Sequence, residues 1–188
     1  MVSSDRRRLS RFLAAVFGLT LIGVLAQRPF DSVLRVEGWA EEIHAAAAAA
    51  GLDDPALLAG LVYAESRGRA DARSRAGAFG LCQLLPGTAA ELADRFGIDD
   101  PAEPAANLRL GAAYLEEQLE AWNGDLRLAL LSYRLGPAAV RREIELAGGR
   151  DAWLERLRRR KPSPWEYVTQ VLRLRERFAA RGRVAARV

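Results

Sequence analysis

A chain of 188 residues, half of them apolar, is long enough for one domain with a sizeable core. One cysteine excludes an intrachain disulfide, and that cysteine with a single histidine leaves no zinc-ligand spacing and no metal site. The formal charge of +4 is uneven: residues 27–133 carry nine basic against seventeen acidic side chains, whereas residues 134–188 carry fifteen against six.

Arg6, Arg7, Arg8 and Arg11 precede an apolar run from Phe12 to Ala26, and Val24-Leu25-Ala26 fits a small-x-small cleavage site. The run is shorter than the ~20 residues a spanning helix needs. Residues 1–26 therefore read as an export signal, with an uncleaved anchor formed by residues 12–26 as the alternative. Export implies a periplasmic or cell-envelope location, with membrane attachment only through this segment. No cysteine near the site is available for lipidation.

Residues 27–51 read as a linker and a first helix. Gln27 to Arg35 carry no clear helical pattern. Trp39 to Ala50 do, with Trp39 and Ile43 at i, i+4 and Gly51 as the stop. Asp53 or Asp54 before Pro55 suits an N-cap with proline at the first helical position, opening a helix to Ser66. Residues 67–80, with Gly68, Gly77 and Gly80, read as loop. Further helices are expected from Pro86 or Thr88 to Phe96, Asn107 to Trp122, Leu126 to Tyr133, Ala138 to Leu146, Asp151 to Lys161, and Trp165 to about Ala180. A basic, frayed tail over 182–188 closes the chain. This is an all-α domain of seven to nine helices, poor in the β-branched runs that strands favour.

The charge pattern bears on partners. The basic C-terminal third could face an anionic surface, but solvated helix faces are the favoured reading. Leu128 to Glu143, with Gly136 at the turn, mimics a DNA-reading helix pair. A chain from Gln27 onward is near neutral and lies behind an export segment, so no nucleic-acid partner is expected. Cys82 lies in an apolar run and reads as a small buried hydrophobe. No phosphate-binding loop or calcium loop is present, and no cofactor is expected.

Glu65 stands out within its helix. Leu58, Val62 and Glu65 fall at i, i+4 and i+7, and Leu61 lies four residues before it, so the carboxyl shares the apolar face. Burial there favours the protonated form, as a general acid requires. The bland alternative is a helix-terminal glutamate turned to solvent. The residues from Glu65 to Ala89 decide between them: Glu65-Ser66, then Ala72-Arg73-Ser74, then Gly77-Ala78-Phe79-Gly80-Leu81-Cys82-Gln83, then Pro86-Gly87-Thr88-Ala89. In this register the chain resembles the soluble-type catalytic domain of the lytic transglycosylases, which share the goose-type lysozyme-like fold. The resemblance covers residues 52–178 and places the catalytic domain over 52–181.

That resemblance implies a single lysozyme-like helical domain, with at most a short β-hairpin near the active site. It implies peptidoglycan glycan strands as the partner. The bond cut would be the β-1,4 link between N-acetylmuramic acid and N-acetylglucosamine, with Glu65 as catalytic acid and a 1,6-anhydro end. Ser74 and Gln83 match polar family positions facing the sugar. Asn107 to Leu115 match a family helix. The pattern Ala-Tyr-Asn-Ala-Gly appears as Ser132-Tyr133-Arg134-Leu135-Gly136, so Arg134 stands where an amide would hold the sugar. Tyr167-Val168 match a further motif, although Ser163-Pro164 stand in place of its Glu-Thr. Cys82 replaces the usual methionine. By resemblance Tyr133, Arg134 and Tyr167 join the substrate-binding set. Relatives also serve secretion and other cell-envelope machinery. The rival readings are a hydrolytic muramidase with Asp71 as second carboxylate, and a non-catalytic wall-binding scaffold.

Overall fold

In the computed structural model, residues 31–184 are described. Nine helical segments run through them: α1 (31–37), α2 (Ala40–Ala50), α3 (Pro55–Ser66), α4 (Pro86–Phe96), α5 (Pro104–Ala121), α6 (Leu126–Leu135), α7 (Pro137–Ala147), α8 (Arg150–Arg159) and α9 (Pro164–Arg181). The expected export or anchor segment, 1–26, lies outside the described residues.

α3 is the axis of the domain. Asp54 accepts from the Leu57 backbone N–H, and Pro55 occupies the first turn, where a missing donor does no harm. Every residue from Pro55 to Tyr63 is buried, so this helix is apolar all round and needs neighbours on all sides. Its most extensive neighbour is α9. Gly60 makes that closeness possible, because a Cβ there would lie 2.7 Å from the Val171 carbonyl oxygen. α9 presents Val168, Val171, Leu174 and Phe178 at helical spacing, and Phe178 meets Tyr63 with ring centroids 6.5 Å apart.

The alanine run of α2 keeps that helix slim against α5. Gly51, in the left-handed conformation, ends it with backbone bonds to Ala47 and Ala48. Expectation and structure part at the lead-in: residues 31–37 are helical, not irregular linker. Val33 and Val36 are buried one turn apart, and the buried Glu37 is paired with Arg181 at the far end of α9 and with Arg183 just beyond it. Those contacts are long-range, so no local pattern announces them. The tail also begins ordered, since Val184 is fully buried. The excursion between α3 and α4 contains two antiparallel bridges, Arg73 with Phe79 and Phe79 with Leu84, which is the short β element expected there.

Candidate active site

Glu65 sits in the last turn of α3, where the negative end of the helix dipole opposes ionisation. Its side chain is only 4% exposed. Burial raises its pKa above the ordinary carboxylate value, and the nearby Tyr167 hydroxyl and the Arg134 charge pull in the opposite direction without prevailing. Arg134 Nη1 donates to Glu65 Oε2 at 3.1 Å.

The chain leaves α3 through a closure that fixes the carboxyl in place. The buried Ser66 hydroxyl donates to the Val62 carbonyl and accepts from the Gly68 N–H. Arg67 takes a positive φ of 58°. Trp39 Nε1 donates to the Gly68 carbonyl at 3.1 Å, and Arg35 Nε donates to the Arg67 carbonyl at the same distance. Sequence reasoning missed both supports, because their partners lie 29 and 32 residues away.

The loop facing the acid is tied just as closely. Gln83, also at positive φ, sends Nε2 to the carbonyls of Ala72 and Gly80, both at 3.0 Å. Left-handed conformations at non-glycine residues carry strain, and here Arg67 and Gln83 both border the acid. The fully buried Asn107 on α5 accepts from the Cys82 N–H at 2.9 Å and donates to the carbonyls of Phe79 and Pro101. The Tyr133 hydroxyl donates to the Cys82 carbonyl at 2.9 Å. Cys82 itself packs onto Gly111, where a Cβ would come within 2.3 Å of its sulfur. Burial drives its thiol pKa upward, with the Glu65 charge adding to the shift, so it is an inert filler.

These elements enclose a cleft of about 700 Å³. Glu65, Ser74, Gln83, Tyr133 and Arg134 all line it, with Tyr114, whose ring lies 5.1 Å from that of Tyr133. A second basin of about 450 Å³ adjoins it and holds Tyr167, Glu166 and Gln170. Ala64 and Arg134 line both basins. The structure thus brings all six sequence-expected residues to one composite cleft. Their hydrogen bonds divide them. Gln83 directs its amide donors to backbone carbonyls, Tyr133 directs its hydroxyl to one, and the Ser74 hydroxyl accepts from the Ala78 N–H. The Tyr167 hydroxyl is buried with no hydrogen bond of good geometry, yet it lies close enough to Glu65 to bias the carboxyl. Asp71 is exposed and lines neither basin. Among the described residues, no cluster of three or more histidine, cysteine, aspartate or glutamate side chains could hold a metal.

The arrangement offers one desolvated carboxyl at the foot of a groove of about 700 Å³. Comparison with known proteins agrees with that geometry. The family model described as the transglycosylase SLT domain matches residues 42–155. A transglycosylase of Enterobacteria phage PRD1 is 44% identical over 98 residues, spanning 52% of this chain and 35% of that protein. A soluble lytic murein transglycosylase of Salmonella typhimurium is 33% identical over 92 residues, 46% of this chain and 14% of the relative. An inactive mutant of the lytic transglycosylase Slt from Pseudomonas aeruginosa superposes with a TM-score of 0.66 at 31% identity, over 77% of this chain and 24% of that one. The 70 kDa soluble lytic transglycosylase of Escherichia coli matches at a TM-score of 0.59 and 23% identity, over 68% of this chain and 22% of that one, a likeness of fold. The chain therefore spans about a third or less of the length of these relatives.

Proposed function

Because the chain belongs to the transglycosylase SLT family, we propose that it is a peptidoglycan lytic transglycosylase whose catalytic acid is Glu65. One observation carries the reading: among the described residues Glu65 is the only carboxylate lining the main basin, and its side chain is 4% exposed. Burial favours the protonated form, so the group can deliver a proton to the bridging oxygen as the C1–O bond of the muramic acid unit breaks. The carboxylate left behind then takes the proton of that sugar's C6 hydroxyl, whose oxygen closes on C1. No water is consumed, Glu65 regains its proton, and the product is a 1,6-anhydro end.

Two-carboxylate glycosidases need a second group to act as nucleophile or to activate water. Asp71, the candidate by sequence proximity, is exposed and off the cleft, and Glu166 is exposed and lines only the adjoining basin. That favours the intramolecular nucleophile over hydrolysis. A non-catalytic scaffold would have no use for a desolvated carboxyl at the foot of a groove. Tyr114 and Tyr133 supply an apolar wall for a sugar face, and Tyr167 borders the acid from α9. The substrate lies outside the cytoplasm, so residues 1–26 would deliver the domain to the periplasm or cell envelope, and residues 12–26 would hold it at the inner membrane where the leader stays uncleaved.

Mass spectrometry of muropeptides released from purified sacculi tests this reading. Products lighter by one water than reducing-end muramic acid are expected from the wild type and none from Glu65→Gln. Reducing-end products would mean a hydrolase, and no release from the wild type would leave the scaffold reading.

A further inference from the structure

Arg134 crosses the cleft beside the acid, and the two partners of this ion pair are unequally held. Glu65 is 4% exposed and fixed by the closure of α3, whereas Arg134 is 53% exposed at the last turn of α6. A pair so exposed on one side is weak, because the cation exchanges its partner for water readily. Arg134 is also the charged residue common to both basins, with its guanidinium 5.3 Å above the Tyr167 ring. A strand laid through both basins must pass it. Its bond to Glu65 uses one of five guanidinium donors, and a planar fork of donors matches a carboxylate bidentately.

This inference rests on Glu65 being the acid. We infer that Arg134 is a guard displaced by substrate: at rest it bridges to Glu65, and a carboxylate carried by the glycan strand draws the guanidinium away as the strand binds. Arg134 is then a positioning residue that makes cleavage selective for strands bearing carboxylates near the scissile bond. A neutral strand of the same sugars leaves the bridge intact, and the cation goes on holding the pKa of the acid below what burial alone would give.

The pH dependence comes from the groups that face Glu65. Arg134 and Tyr133 come from α6, Tyr167 from α9 and Cys82 from the loop, with Tyr114 of α5 and Arg75 on the cleft lining beyond them. Of these, Arg134 is the cation acting on the carboxyl, and its withdrawal raises the pKa. General-acid activity falls as pH rises through that pKa, so withdrawal moves the alkaline limb upward.

The test measures kcat/KM and its alkaline limb for the full chain, Arg134→Asn and Arg134→Lys on three substrates. They are peptide-free strands retaining the lactyl carboxylate, the same strands with that group converted to its methylamide, and intact peptidoglycan with its peptide carboxylates. The wild type is expected to favour carboxylate-bearing strands about tenfold, with a limb about one pH unit higher than on the amidated strands. Arg134→Asn should show one limb, the higher, on all three and lose the preference, while Arg134→Lys keeps part of it. Faster cleavage of peptide-free than of intact strands assigns the lactyl group as the displacing carboxylate, and the reverse order assigns the peptide. Equal rates and limbs for the wild type on all three substrates would overturn the guard while leaving Glu65 as the acid. An active Glu65→Gln would overturn that acid and the guard with it.

Discussion

The two walls of the cleft are built by different means. The floor, made of the end of α3, the 67–85 loop and the facing turns of α5, is held by bonds from fixed side chains to backbone. Ser66, Gln83, Asn107 and Tyr133 each close a main-chain donor or acceptor. The far wall, where α6 meets α9, carries Arg134 and Leu135, both substantially exposed, and the buried hydroxyl of Tyr167. Beyond the packing of α9 on α3, Arg134 reaches the floor through its ion pair to Glu65. The floor is therefore built to hold a carboxyl in one place, and the far wall to respond to what enters. The sequence departs from its family's pattern at Arg134, Leu135 and Ser163-Pro164 on the responsive wall, and on the floor at the buried Cys82.

The comparison breaks most completely at the acid. Glu65→Gln keeps the shape and removes the proton, so kcat/KM should fall by about a thousandfold. The fold should not suffer. Because burial raises the pKa of Glu65, the stability this group contributes is fully present below the ordinary 4.5 and lost as pH rises through its folded value. The variant should therefore match the wild type in acid and equal or exceed its melting temperature at neutral pH. A melting temperature that drops at neutral pH would mean the carboxylate is stabilised in place, contrary to its burial.

On the floor, Asn107→Leu preserves volume but strands the Cys82 N–H and two carbonyls in the interior. It should lower unfolding free energy by about 3 kcal/mol, measured in urea, with activity falling as the loop loosens. A loss below about 1 kcal/mol would mean the loop is held without its staple.

On the far wall, Tyr167→Phe should leave stability unchanged or slightly higher, since the lost hydroxyl has no hydrogen bond of good geometry. That hydroxyl lowers the Glu65 pKa, so its removal should move the alkaline limb of the pH–rate profile upward. A limb that stays put would separate Tyr167 from the acid. The smallest effect is expected off the cleft. Asp71→Asn should retain wild-type kcat/KM within about twofold, in line with the small effect of surface substitutions. An inactive Asp71→Asn would reinstate a second carboxylate and a hydrolytic route.

Much of the floor was legible in the chain itself. The apolar periodicity of Leu58, Leu61 and Val62 placed Glu65 on the buried face, because helix geometry is local and survives any tertiary context. Proline and glycine punctuation set the helix ends at Pro55, Gly51 and Gly97 for the same reason. What Gln83 and Tyr133 do with their polar atoms was not legible. Both read as groups available to a sugar, yet their donors are taken by carbonyls that only folding brings within 3.0 Å. The helix over 31–37 and the pairing of Glu37 with Arg181 escaped for a like reason, since buried charge is tolerated only where a distant partner arrives. The bridge from Arg134 to Glu65 joins residues 69 positions apart. The sequence determined that an acid would be buried at the end of α3, through local spacing. Whether a cation stands over it was decided by the packing of α6 against α9 around that helix.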